Sequence, residues 1–193
     1  MRLSILDRGH GLPTKALFAL IRAASRQPIL DIIKLVKYRS DFYGTPMSAV
    51  TQEAMRGSSE WSVGDRELMA AIVAKTNACA FCIDAHAAVA RRAYGDEFKV
   101  AAVLDNIDTA PIDERLRATL RMLRKLSAEH SVSADDMRAL LAAGVSRPQI
   151  EDALAVAFAF NTITRLAEAF GFVVPSAGAM DAGAKFLLAR GYR

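Results

Sequence analysis

Three serines, each followed three positions later by an acid or an amide, constrain most strongly what this chain can fold into: Ser62 with Asp65, Ser133 with Asp136, and Ser146 with Gln149. In such a capping box the serine oxygen accepts from the third amide and the third side chain reaches back, so each pair marks the start of a helix. Apolar runs at helical spacing follow each one, whereas alternating strand patterns are scarce. Helices are predicted over 14–26 and 28–38, hinged at Pro28, then over 47–56, from Ser62 through about Lys75, and over 78–94 and 96–105. Further ones are expected over 112–129, 134–142, 147–170 with a break near Asn161, and 178–190. Composition agrees, with 36 alanines against 11 glycines and 6 prolines. The expected fold class is all-α: a multi-helix bundle of about nine or ten helices, with residues 1–58 an N-terminal helical arm and 59–193 the helical core, one compact domain overall.

Hydrophobic residues make up 52% of the 193 and charged ones 24%, which excludes a disordered chain. The longest uninterrupted apolar run is Ala153 to Phe160, far short of the roughly 18 residues that a membrane span needs. Ala16 to Ile21 is closed by Arg22, too short for a signal-peptide core, so a cytoplasmic protein without membrane contact is expected. Net charge is +4, and no basic tract is interleaved with aromatics, so nucleic acid is not expected as a partner. Arg115, Arg117, Arg121, Arg124 and Lys125 read as a solvated helix face, Trp61 as a packing anchor, and His10 and His130 as surface or loop residues.

The chemistry-bearing segment is Glu67 to His86. The two cysteines of the chain, Cys79 and Cys82, adjoin on a helix, and His86 lies one turn after Cys82. Helical spacing sets the cysteine Cα atoms roughly 5 Å apart, inside the window that a disulfide tolerates. Glu67 would be about 18 Å from Cys79 on one continuous helix. A turn at Thr76 and Asn77 would fold the two helices back on each other and bring Glu67 to face His86. Both cysteines then sit near a helix N-terminus, where free amides and the dipole favour a thiolate. His86 can take a thiol proton and Glu67 can orient the imidazole. A thiolate that attacks a peroxide becomes a sulfenic acid, a second thiol condenses with it to a disulfide, and an external dithiol must then reduce the pair.

Glu67, eleven residues, Cys79-x-x-Cys82, three more and His86 together resemble the active-site signature of the alkylhydroperoxidase D (AhpD)-like branch of the carboxymuconolactone decarboxylase family. Looser similarity, including Asn161 with Arg165, extends over about 60–172, and the N-terminal arm resembles the peroxidase-related subgroup. The resemblance implies an AhpD-like helical bundle and homo-oligomers, whether dimer, trimer or hexamer. It also implies reduction of hydrogen peroxide or organic hydroperoxides by the cysteine pair, with no metal or haem cofactor, and a dithiol or thiol-protein as reductant. Family precedent makes Cys82 the peroxide-attacking thiol and Cys79 the resolving one, with His86 and Glu67 as the proton relay. The prototype has a histidine between its cysteines where this chain has Phe81.

Other readings of the same residues are weaker. A zinc site needs four ligands, and the histidines other than His86, His10 and His130, are distant in sequence. Covalent haem attachment needs a histidine directly after the second cysteine, where Ile83 stands. Two rival functions remain: a redox-sensing or assembly module whose disulfide alters helix packing, and the lactone or carboxylic-acid chemistry of the decarboxylase branch.

Overall fold

Every residue from Arg66 to Ala74 is buried, so the helix that carries them has no solvent face and must run through the middle of the molecule. The computed structural model describes residues 1–192. Among the described residues it is built from α1 (Ile5–Arg8), α2 (Leu12–Ser25), α3 (Asp31–Tyr38), a π-helical turn (Ser40–Gly44), α4 (Thr45–Arg56), α5 (Val63–Thr76) and α6 (Ala80–Tyr94). These are followed by α7 (Glu97–Asp105), α8 (Glu114–Glu129), α9 (Ala134–Ala142), α10 (Arg147–Phe170) and α11 (Ala177–Arg190), with no strand. This is the all-α bundle that the sequence predicts.

All three capping boxes form with both of their reciprocal bonds, opening α5, α9 and α10. Helix α5 pairs with α6 as a hairpin and is enclosed by α10, α8 and α4, while α11 covers α6 from the other side. At the open end of the hairpin Gly64 lies against the Tyr94 ring, where an added Cβ would come within 2.8 Å of it. Trp61 is an anchor as expected, buried with its indole N–H donating to the Gln149 carbonyl at 2.8 Å. By length and composition α10 could cross a membrane. Here it is a core helix, with Ala153, Val156, Ala157 and Phe160 buried against its neighbours.

Four local expectations are corrected. The helix predicted from Pro28 starts at Asp31, because Ile29 and Leu30 run extended and Ile29 is spent on the core. Helix α10 does not break near Asn161; its side chain instead bonds to Ser127 and to Asn77, leaving the backbone ladder intact. His10 is buried, its Nε2 at 2.9 Å from the Leu6 carbonyl and its ring edge-on to Phe18 and Tyr38. Arg117 leaves the solvated face to bind the carbonyls of Ile107, Ala110 and Ile112.

The turn between α5 and α6 positions the cysteines. The Cys79 amide donates to the Ala74 carbonyl at 3.0 Å and the Ala78 amide to that of Lys75 at 3.1 Å, the bonding pattern of a Schellman stop. That stop needs a left-handed residue, and here it is Ala78 at φ +56° and not a glycine. The Asn77 amide nitrogen pins the turn to α10 through Asn161 and Thr164, both at 2.9 Å. A left-handed alanine costs about 1–2 kcal/mol, partly offset by the extra freedom glycine would bring to the unfolded chain. Ala78→Gly is therefore expected to raise stability by about 0.5–1 kcal/mol, read as a Tm increase of about 1–4 °C. A lowered Tm would show that the turn holds no such strain.

Candidate active site

Folding α6 back on α5 brings Glu67 and His86 together: the imidazole Nδ1 lies 2.7 Å from Glu67 Oε2. An ionised carboxylate only accepts, so Nδ1 carries a proton and Nε2 is the ring nitrogen not engaged by Glu67. The ring is buried and meets Phe160 edge-on, with centroids 4.2 Å apart, which fixes its plane.

Glu67 is fully enclosed, with 0% of its surface exposed. A bare carboxylate there would protonate, so its partners decide its state. Arg56 Nη2 donates to Oε1 at 2.7 Å, and the Tyr192 hydroxyl donates to Oε1 at 2.9 Å and lies 3.2 Å from Oε2. Burial acts to raise the pKa, but the hydrogen bond and charge of His86, joined by Arg56, outweigh it and hold Glu67 below the usual carboxylate range. Arg56 also stacks over the Tyr192 ring, 5.1 Å from its centroid. Burial and the Glu67 charge push the Tyr192 phenol well up, keeping it a donor.

Arg56 and Tyr192 were outside the sequence reading. One ends α4 and the other lies beyond α11, 11 and 125 residues from the acid they bind, so no local spacing signals them. Gln52 gives the Tyr192 segment its anchor by accepting the Tyr192 amide at 2.7 Å.

Cys79 is the N-cap of α6 and Cys82 its third residue. Both are reduced and buried, 0% and 2% exposed. The Cys79 sulfur does not make a complete cap bond. Even so, the Cys82 thiol acting as donor, helped by the Cys82 amide, outweighs burial and lowers the Cys79 pKa. Cys79 sulfur and burial push Cys82 up in turn. The two thiols are thus shifted in opposite directions, and Cys79 is the easier of the pair to ionise. Phe81, which replaces the prototype's histidine, is buried edge-on against Phe172 at 5.4 Å and adds no proton carrier. Glu168, an exposed residue of α10, acts on Cys79 in the opposite sense and raises its pKa. Asp84 points outward and takes no part. Among the described residues no cluster of three or more His, Cys, Asp or Glu could hold a metal ion.

Fold and site together define a helical bundle built around a dithiol and an enclosed carboxylate–imidazole pair. Residues 45–125 match the model of the carboxymuconolactone decarboxylase family. Three solved structures share the fold. A peroxidase-related protein from Silicibacter sp. TM1040 has a TM-score of 0.77 at 24% identity, with 93% of each chain covered. The alkylhydroperoxidase AhpD core of a peroxidase-related protein from Ralstonia eutropha JMP134 has a TM-score of 0.74 at 22% identity, again with 93% of each chain covered. The debrominase Bmp8 in its apo form has a TM-score of 0.68 at 15% identity, covering 92% of this chain and 93% of that one. No match was found among curated protein sequences.

Proposed function

We propose that the protein is a thiol-dependent peroxidase acting on hydrogen peroxide or small organic hydroperoxides. The observation that carries this reading is the 2.7 Å Glu67–His86 pair, set one helical turn from Cys82. Cys82 loses its proton to His86, and its thiolate attacks the terminal oxygen of ROOH. The O–O bond breaks, Cys82 becomes a sulfenic acid, and the leaving alkoxide takes the proton back from His86 as ROH. Cys79 then attacks the sulfenic sulfur, expelling water and closing the disulfide. A dithiol or thiol-protein donor reduces it by exchange, with two electrons and two protons entering per peroxide. Subunits pack through the apolar side chains that the chain leaves exposed, such as Phe42, Phe98, Phe158 and Phe186.

Burial of both sulfurs favours one rival, a redox sensor that is oxidised once and not a turning-over enzyme. Mixing the reduced protein with excess hydroperoxide and a dithiol donor separates the two. Many equivalents consumed per chain support the peroxidase; one equivalent, followed by a stable disulfide, supports the sensor.

A further inference from the structure

Beyond α11 the backbone turns back and brings Tyr192 to the relay. Gly191 makes that turn at φ +70° with no room for a side chain, since an added Cβ would stand 2.3 Å from Gln52 Oε1. The same Gln52 oxygen accepts the Tyr192 amide at 2.7 Å. Arg56 completes the seat, its guanidinium 5.1 Å from the centroid of the phenol ring and its Nη2 donating to the Leu187 carbonyl at 3.2 Å. A phenylalanine would meet every one of these contacts. The hydroxyl calls for a separate reason.

That reason lies in how Glu67 is held. The last torsion of a glutamate side chain is soft, so a contact to one oxygen leaves the carboxylate free to swivel. Arg56 makes such a contact, with Nη2 on Oε1 alone and Nε unpartnered. His86 Nδ1 makes another, on Oε2 alone. The Tyr192 hydroxyl is the donor that reaches both oxygens, at 2.9 Å to Oε1 and 3.2 Å to Oε2. Among the described residues no further charged group bonds to this carboxylate. Arg66, beside it on α5, donates to the Gly57 and Ala54 carbonyls, and Asp152 of α10 is held by Ser59. The buried residues of α7, α8 and α10 carry no charge.

We propose that Tyr192 is a positioning residue of the peroxide reaction: its hydroxyl, bridging both oxygens, fixes the plane of the Glu67 carboxylate so that Oε2 stays on His86 Nδ1 while the imidazole takes and returns the Cys82 proton. The inference rests on the peroxidase reading above. A steady second donor is needed because His86 changes charge during the cycle, and its pull on Oε2 changes with it. Tyr192 exchanges no proton; burial and the Glu67 charge keep its phenol protonated and donating. Outer partners of this kind fix the direction and tautomer of the group that does the chemistry.

The test is Tyr192→Phe in the full chain, which keeps the ring beneath Arg56 and removes the hydroxyl alone. Two measurements are made on it and on the wild type: turnover of hydrogen peroxide with a dithiol donor across pH, and the downfield NMR resonance of the His86 Nδ1 proton in isotope-labelled protein. The variant should lose roughly ten- to a hundredfold in kcat with KM held within about twofold, because Tyr192 does not bind substrate. Taking a donor away from the charged form raises the Glu67 pKa, so the acid limb of its kcat profile should move to higher pH by roughly one unit. The Nδ1 resonance should broaden or move upfield as the carboxylate swivels. A fall in kcat with the resonance and the acid limb both unmoved would show a merely structural role and overturn the assignment. So would a changed resonance with kcat intact. A wild type that shows the resonance but turns over no peroxide would overturn the peroxidase reading itself, and the role of Tyr192 with it.

Discussion

Replacing Cys82 with serine is expected to reduce peroxide turnover to background, a fall of about a thousandfold or more, the scale that removal of a nucleophile reaches elsewhere. Cys79→Ser should also stop turnover, but for a different reason: Cys82 reacts once and remains a sulfenic acid with no thiol to resolve it. Trapping with a sulfenic-acid probe and mass spectrometry tells the two apart, since the adduct should appear on Cys82 in Cys79→Ser and be absent from Cys82→Ser. The comparison matters because the two thiols are shifted in opposite directions, Cys79 down and Cys82 up. For Cys82 to attack, its proton must first move to His86 or to the Cys79 sulfur, and peroxide must arrive while it is there. An adduct on Cys79 in the Cys82→Ser protein would exchange the two roles and make Cys79 the nucleophile.

Glu67 carries the second large effect. Glu67→Ala strips the carboxylate from Arg56, Tyr192 and His86 together and leaves a largely buried guanidinium without its counter-ion. Breaking a buried pair in this way costs about 3–5 kcal/mol, measurable as a lowered urea midpoint. Glu67→Gln keeps the shape and removes only the charge, so it should fold while losing roughly 10²- to 10⁴-fold in turnover, the range for a disabled proton relay. Unchanged kinetics in Glu67→Gln would remove the acid from the relay. The pH dependence has a definite sign. Because the folded pKa of Glu67 is lowered, its stabilising contribution is complete above the ordinary carboxylate value of 4.5 and is lost as pH falls through the lower folded value. The stability gap between the wild type and Glu67→Gln should thus be widest near neutral pH and close on acidification below that value.

Much of this was legible because it is local. A capping box is three residues long, so Ser62, Ser133 and Ser146 announce their helices whatever packs around them. The meeting of Glu67 with His86 follows from counting residues on either side of Asn77, since a helical hairpin converts sequence distance into axial height. What stayed hidden depends on distant chain. Nothing near Arg56 or Tyr192 in sequence says that they share one carboxylate, and Ala78 gives no hint of a left-handed turn that glycine usually fills. Residues 40–44 fall between the helices predicted over 28–38 and 47–56, yet they form a π-turn held by the Arg39 carbonyl and the contact with α3. His10 was misplaced because a histidine wedged between two aromatic rings behaves as an apolar plug.

Cys79 closes one helix and opens the next, and the amide that ends α5 belongs to the same residue as the sulfur that faces Cys82. A covalent link between such near neighbours, on a backbone already clamped to α10, has almost no leverage over either helical axis. The oxidised and reduced forms should therefore be nearly superimposable, and electrons could come and go here with the scaffold as a passive holder. Whatever learns of the pair's state from outside has to read the sulfurs themselves.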